Sequence, residues 1–300
     1  MLTKMANKVP RILVTGASGL LGRAVVKVLK AKEWDVVGVA FTRVGSGLIK
    51  CNLTDSEAVS ALIEKVKPDI IIHAAAERFP DVVEKKYKET QLLNVKASAH
   101  IASVAQQHGS KLLHISTDYV FDGTSPPYKC NDKCNPLNKY GQTKLHAEQA
   151  VLRECPGACI LRVPVLYGPV ERLEESAVTC LFSALKSREP TTVSHHDKRC
   201  PAHVNDIAHI MYDLISLIMK GKTLDGIFQW SGKEKLTKYE MTLTMSRIFS
   251  LPHDHITPSY SAGSLRPYDP EMDVSRLTDL GISHHTNFED GIKECLSPWL

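Results

Sequence analysis

Three residues of this sequence could handle a proton together: the hydroxyl of Thr117, the phenol of Tyr140 and the ammonium of Lys144. Tyr140 and Lys144 are four apart, and side chains four apart on a helix share one face. An ammonium beside a phenol favours the phenolate and lowers a pKa that is ordinarily about 10. Such a phenol exchanges a proton with a substrate oxygen while hydride moves to or from a dinucleotide. Thr117 follows the apolar run KLLHIS and can hydrogen-bond the same oxygen. A Tyr and a Lys at this spacing also occur on many helix faces that do no chemistry. The pattern gains weight here by following a glycine turn and a strand-end hydroxyl in that order.

The glycine turn lies in RILVTGASGLLGR, where Gly16, Gly19 and Gly22 recur at intervals of three. The run Ile12, Leu13, Val14 reads as a buried strand, and the apolar residues from Leu20 to Leu29 recur at helical spacing. Strand, glycine turn and helix make a phosphate cradle. Gly16 permits the tight turn, Gly19 lets backbone approach a pyrophosphate, and Gly22 lets the helix pack on the strand. The free N–H groups and dipole of the helix N-terminus favour an anion there. NAD-binding versions place a carboxylate about 20 residues further on. At that position this chain reads Phe41-Thr42-Arg43, with no acid and with a guanidinium suited to a 2′-phosphate. NADP(H) is therefore expected over NAD(H). The alternative is that Arg43 is a solvated loop residue.

These residues need a scaffold, and the alternation of β and α patterns supplies one. Strands are expected at 35–40, 49–53, 69–73, 111–116 and 159–163, with helices at 55–66, 83–107 (broken near Thr90) and 137–152. The run DIIIH is apolar without interruption, as in a parallel sheet covered on both faces. Ala74, Ala75 and Ala76 then leave room for a cofactor at a strand end. The expected fold is α/β: a Rossmann-like doubly wound parallel sheet at 1–168, followed by a smaller α/β lobe at 169–300. In that lobe, helices are expected at 174–187, 204–219 and 238–249 and a strand at 226–230. Segment 257–273 has no periodic signal. Asp206 is expected to help the N-terminal geometry of its helix.

Composition narrows the classes. A net charge of +4 over 300 residues, with no clustered basic face, argues against nucleic acid or a membrane surface as partner. The first ten residues lack the apolar core of a signal peptide, and a cytoplasmic location is expected. Cys51, Cys159 and Cys180 read as buried thiols. The spacings Cys130/Cys134 and Cys155/Cys159 fall in the zinc range, but Cys159 lies inside an apparent strand. No metal is expected there, nor at His195, His196, Cys200 and His203.

The motifs TGASGLLG, HAAA, ISTDYVFDG, YGQTK and LRVPVLYG together resemble the extended short-chain dehydrogenase/reductases. The stretch STDYVFDG resembles the dTDP-4-dehydrorhamnose reductase branch. Segments 73–84, 162–178, 201–208, 226–241 and 264–282 are more similar to the family of regulatory β subunits of methionine adenosyltransferase. That resemblance implies Ser18, Gly19, Leu20 and Leu21 at the pyrophosphate and Phe41, Thr42 and Arg43 around the 2′-phosphate. It implies Asn52 and Leu53 beside adenine and Ala74 and Arg78 on the nicotinamide side. Tyr140, Lys144 and Leu166 complete the site. It also implies a partner, the catalytic subunit of that enzyme, whose handling of methionine in S-adenosylmethionine synthesis would be changed. The basic, aromatic tail of that family is not expected after Trp299 and Leu300, which are left as a terminal anchor or as packing for the last helix.

The reductases of the branch carry an acidic loop near the sugar. Here the loop contains Arg78-Phe79-Pro80, whose bulk and stiffness reshape such a pocket. A regulatory scaffold without efficient turnover is therefore expected. An NADPH-dependent reductase of a nucleotide-linked keto sugar, or a redox-sensing NADP module, are the alternatives.

Overall fold

A computed structural model describes residues 9–263 and 265–300. The expectation about the extreme N-terminus falls largely on residues 1–8, outside the described residues. In chain order the first half runs β1 (Arg11–Thr15), α1 (Leu20–Ala31), β2 (Asp35–Ala40), β3 (Leu48–Lys50), α2 (Ser56–Val66) and β4 (Ile70–His73). It continues through α3 (Pro80–Lys85), α4 (Tyr87–Gln91), α5 (Ser98–His108), β5 (Lys111–Thr117), α6 (Lys139–Glu154), β6 (Cys159–Val163) and β7 (Leu166–Tyr167). The second half contains α7 (Cys180–Ser187), β8 (Thr191–Ser194), β9 (Ala202–His203), α8 (Val204–Met219) and β10 (Gly226–Gln229). It ends with α9 (Lys238–Phe249), β11 (Ile256–Ser259), α10 (Ser275–Thr278) and α11 (Phe288–Leu296).

Seven parallel strands form the central sheet in the order β10-β6-β5-β4-β1-β2-β3. Successive side chains of a strand face opposite sides, and the core divides accordingly. Ile12, Val14, Ile70 and Ile72 pack under α1 and α8, while Leu13 and Ile71 pack under α2 and α5. The chain order reverses between β1 and β4, and the crevice at the carboxyl ends of these strands is where such sheets take ligands. A third apolar cluster joins α7, α9 and α11 into the smaller lobe. β10 and α8, although late in the chain, belong to the large sheet and its covering layer.

Several expected elements move. The break in 83–107 falls at Lys86, and a π turn (Leu92–Ala97) lies between α4 and α5. The helix expected from residue 174 begins only at Cys180, because Leu173–Glu175 forms a separate 3-10 turn. The unplaced segment 257–273 contributes β11, paired in parallel with β8. Asp206 does not cap α8. His203 Nδ1 accepts from Asn205 N at 3.2 Å, while Asp206 accepts from the Thr286 amide at 2.8 Å and its hydroxyl at 2.9 Å, stapling the C-terminal segment. Trp299 packs against the smaller lobe, and Leu300 is exposed. Among the described residues, no helix is long and apolar enough to cross a membrane.

Candidate dinucleotide site

The turn between β1 and α1 requires its glycines. Gly16 has φ +70, and a Cβ there would lie 2.8 Å from the Ala75 amide nitrogen. At Gly22 a Cβ would lie 2.1 Å from the Gly16 carbonyl oxygen, so helix and turn touch backbone to backbone. Gly19 caps α1 without a side-chain hydrogen bond, so the first-turn amides have no side-chain cap. The side chains of Leu20 and Leu21 are buried in the core. Only their backbone N–H groups can serve an anion, which suits a pyrophosphate.

At the ends of β2 and β3, Phe41 and Asn52 line a cleft of about 420 Å³ with Lys50, Cys51, Asp55, Leu62 and Lys65. Phe41 is half exposed there, a flat apolar surface for a base. Asn52 accepts from the Thr54 amide and hydroxyl at 3.1 and 2.9 Å, which holds its turn. Leu53 is buried in the core below. Thr42 is exposed beside Arg43. Arg43 reaches across the cleft to Glu171 (3.1 Å) and Glu175. It is thus ion-paired at the cleft mouth while its side chain stays 40% exposed.

On the other side of the crevice, Ala74 continues β4, its amide donating to Thr15 O at 3.3 Å. The Arg78 guanidinium stacks 4.3 Å from the Phe79 ring, donates to the Glu175 carbonyl, and stands where its charge favours a Tyr140 phenolate. Tyr140, at the first turn of α6, meets the Tyr119 ring edge-on at 5.7 Å and lies beside Thr117. Leu166, in β7, is half-buried and packs against the core under α1 and α8. Glycines, Arg78, Thr117 and Tyr140 thus gather at the carboxyl end of the sheet.

Lys144 has close partners of its own. Its Nζ donates to Ile115 O at 2.6 Å and lies 3.4 Å from His114 Nε2, beneath the site. Burial pushes the Tyr140 phenol up, and the Thr117 hydroxyl and Arg78 offset that only in part. Burial likewise pulls Lys144 down to about 8, against the favourable charge of Glu148, and raises Asp118 to about 6, against Arg199. Burial therefore favours the protonated phenol over the phenolate.

Three residues that sequence reasoning passed over hold the site. Asn94, in the π turn, accepts from the Glu77 amide at 2.8 Å, donates to the Glu77 carbonyl at 2.9 Å and reaches Thr143 Oγ1 at 3.2 Å. It fixes the loop carrying Arg78 to α6. Arg23 and Glu175 form an ion pair at 2.7 Å across the cleft mouth. No local signal marks these residues, since their partners are distant in the chain. The cysteines are all free, and Cys159 is buried in β6. His195 bonds Thr237, His196 bonds Asp197, and His203 bonds Asn205.

Sheet order, glycine turn and the Tyr140/Lys144 helix define a Rossmann-like fold of the short-chain dehydrogenase/reductase type. The chain belongs to the RmlD substrate binding domain family, whose model matches residues 10–300, and within it to the branch of methionine adenosyltransferase 2 β subunits. It is 46% identical over 295 residues to methionine adenosyltransferase 2 subunit beta of Danio rerio, covering 96% of this chain and 91% of that protein. The Bos taurus subunit is 47% identical over 294 residues, covering 97% and 88%. Among solved structures, it is similar to a dTDP-4-dehydrorhamnose reductase from Bacillus anthracis in complex with NADP. That match has TM-score 0.83 and 25% identity, and covers 96% of this chain and 98% of the other.

Proposed function

We propose that this chain is a regulatory subunit that binds NADP(H), associates with the catalytic subunit of methionine adenosyltransferase in the cytoplasm, and tunes its use of methionine for S-adenosylmethionine synthesis. The observation that carries this reading is the extent of the likeness: 47% identity over 97% of the chain, reaching through the smaller lobe and not only the cofactor motifs. In this reading residues up to 168 carry most of the cofactor site and those from 169 onward face the partner. The uncapped α1 N-terminus, the Gly16–Gly22 turn, Phe41 and Arg43 fit the pyrophosphate, adenine and 2′-phosphate of the dinucleotide.

The test mixes this chain with the catalytic subunit. Gel filtration at micromolar concentration should give one larger species, and methionine saturation curves should shift when this chain is added. Linkage then requires methionine to strengthen association by the same factor. Two separate peaks with superimposable curves would leave the reading without support. Tyr140→Phe removes only a phenol oxygen and should leave the shift intact.

The second reading, an NADPH-dependent reductase of a nucleotide-linked keto sugar, is favoured by one observation: Thr117 and the protonated Tyr140 phenol stand together at the strand ends. When bound, the cofactor would supply the hydride, and the phenol would donate the proton to the sugar oxygen. If that reading holds, Tyr140→Phe should slow NADPH oxidation with a dTDP-4-keto-6-deoxy sugar on the order of 100-fold.

Cofactor choice is tested separately. Arg43→Glu should weaken NADP⁺ binding about 30- to 100-fold, the scale of lost charge-assisted bonds. NAD⁺ affinity should change little. Calorimetric titration giving the unmodified chain equal affinities for the two dinucleotides would refute the preference.

A further inference from the structure

The strap 169–176 follows β7, which pairs with β9 apart from the large sheet, and carries Glu171 and Glu175 to the mouth of the cofactor cleft. Glu175 is only 3% exposed along its side chain, yet it is ionised. Its carboxylate accepts from Arg23 at 2.7 and 3.2 Å, from the Glu171 amide at 2.9 Å, and from Arg43 Nη1. Burial alone would raise its pKa; these donors hold it down at about 2. Its backbone carbonyl accepts from Arg78. Glu171 is 57% exposed and reaches Arg43 Nη1 at 3.1 Å and Arg23 Nη1 at 3.4 Å.

Three arginines from three different parts of the large sheet's layer (α1, the end of β2 and the loop after β4) therefore converge on one short strap. Their shares are unequal. Arg23 alone gives Glu175 two hydrogen bonds, so Glu175 stays neutralised if Arg43 leaves. Arg43 is 40% exposed and holds the strap through a single nitrogen, Nη1. A phosphate dianion next to Arg43 bids for the same guanidinium against two carboxylates that already use it.

We propose that Glu171 and Glu175 set the cofactor specificity of this cleft by competing with the 2′-phosphate for Arg43. NADP(H) takes Arg43 from the strap, while NAD(H) leaves the strap latched. The proposal rests on the reading of the cleft as a dinucleotide site. It makes the strap, which begins the second lobe, the element that limits how far Arg43 favours NADP(H) over NAD(H). The discrimination in favour of NADP(H) is correspondingly smaller than a free Arg43 would give, because part of the phosphate's attraction is spent displacing acids.

Glu171 is the residue to change, because its exposure makes its removal harmless to the fold. Calorimetric titration of NADP⁺ and NAD⁺ into the full chain should show Glu171→Gln binding NADP⁺ about two- to fivefold more tightly, the scale of one exposed ion pair. NAD⁺ affinity should stay within about twofold. In the unmodified chain, amide exchange across 169–176 should rise with NADP⁺ and not with NAD⁺. NADP⁺ affinity that is unchanged or weaker in Glu171→Gln would overturn the proposal and make Glu171 a residue that positions Arg43. Equal exchange with both dinucleotides would also overturn it. If the unmodified chain binds no NADP⁺, the dinucleotide reading itself fails, a result distinct from normal binding that Glu171→Gln leaves unmoved.

Discussion

Arg162→Leu should cost about 3–5 kcal/mol of folding stability, because it strands a buried carboxylate. Arg162 lies in β6 and Glu148 in α6, with side chains 4% and 3% exposed. Arg162 Nε and Nη2 meet the two carboxylate oxygens at 2.8 and 2.7 Å, a bidentate pair. Ser116 donates to the same carboxylate at 2.5 Å, and Arg162 Nη1 donates to Gln229 in β10 at 3.0 Å. The pair thus ties three neighbouring strands to the helix that carries Tyr140 and Lys144. Removing only the cation leaves Glu148 charged in a dry interior or forces it to take up a proton. Urea unfolding measures the loss. The double variant Arg162→Leu with Glu148→Leu should be markedly more stable than the single Arg162→Leu, since no orphaned charge remains. A single-variant loss below about 1 kcal/mol would show that the pair is solvated in solution.

The second large effect is acid sensitivity. His73 is buried beneath the crevice, its Nδ1 2.7 Å from Thr15 Oγ1 and its Nε2 2.8 Å from Ser98 Oγ. Ser98 donates its own proton to Asn94 O, so Nε2 carries the hydrogen and the ring is neutral. His114 packs 5.1 Å away against Lys144. Burial, with the Lys144 charge, holds His73 down to about 3 and His114 well below its ordinary value. In the unfolded chain both titrate near 6.5. Below that pH the unfolded state binds more protons, so stability is full above it and falls as the pH drops. Asp118 works the other way: its folded pKa, raised to about 6, adds stability as the pH falls below that value. His203 is likewise pulled down by burial, so the lowered imidazoles outnumber the one raised carboxyl and stability falls as the pH drops from about 6 to about 4, each such imidazole contributing at most about 1.4 kcal/mol per unit. Thermal unfolding across that range should show the slope, and His73→Gln should reduce it by about 1.4 kcal/mol per unit. An unchanged slope in His73→Gln would remove His73 as the cause.

What the sequence by itself determined follows from local rules. β1, the glycine turn and α1 were legible because strand patterning, obligatory glycine and helical spacing sit side by side in RILVTGASGLLGR. The two helices expected at 204–219 and 238–249 match α8 and α9 to the residue, and the structure adds a capping box at Thr237 and Glu240. The parallel sheet was legible from the uninterrupted run of Ile70, Ile71 and Ile72, as a strand buried on both faces requires. The long likeness to regulatory subunits was equally a property of the chain.

What only the tertiary structure decided concerns groups brought together from afar. Spacing placed Lys144 on the same helix face as Tyr140, but it could not show that the ammonium is engaged by Ile115 O and His114. Arg43 was read correctly as a cation at the end of β2. That Glu171 and Glu175, more than a hundred residues later, occupy it depends on how the strap crosses the cleft. Asn94 looked like one polar residue in a helix; its role exists only because a π turn aims it at Glu77. Charge strength and protonation depend on burial and on neighbours, and both are set by packing between distant segments. Residue types and spacings therefore reveal which chemistry is at hand, and the assembled crevice decides which group holds the proton and which arginine is already taken.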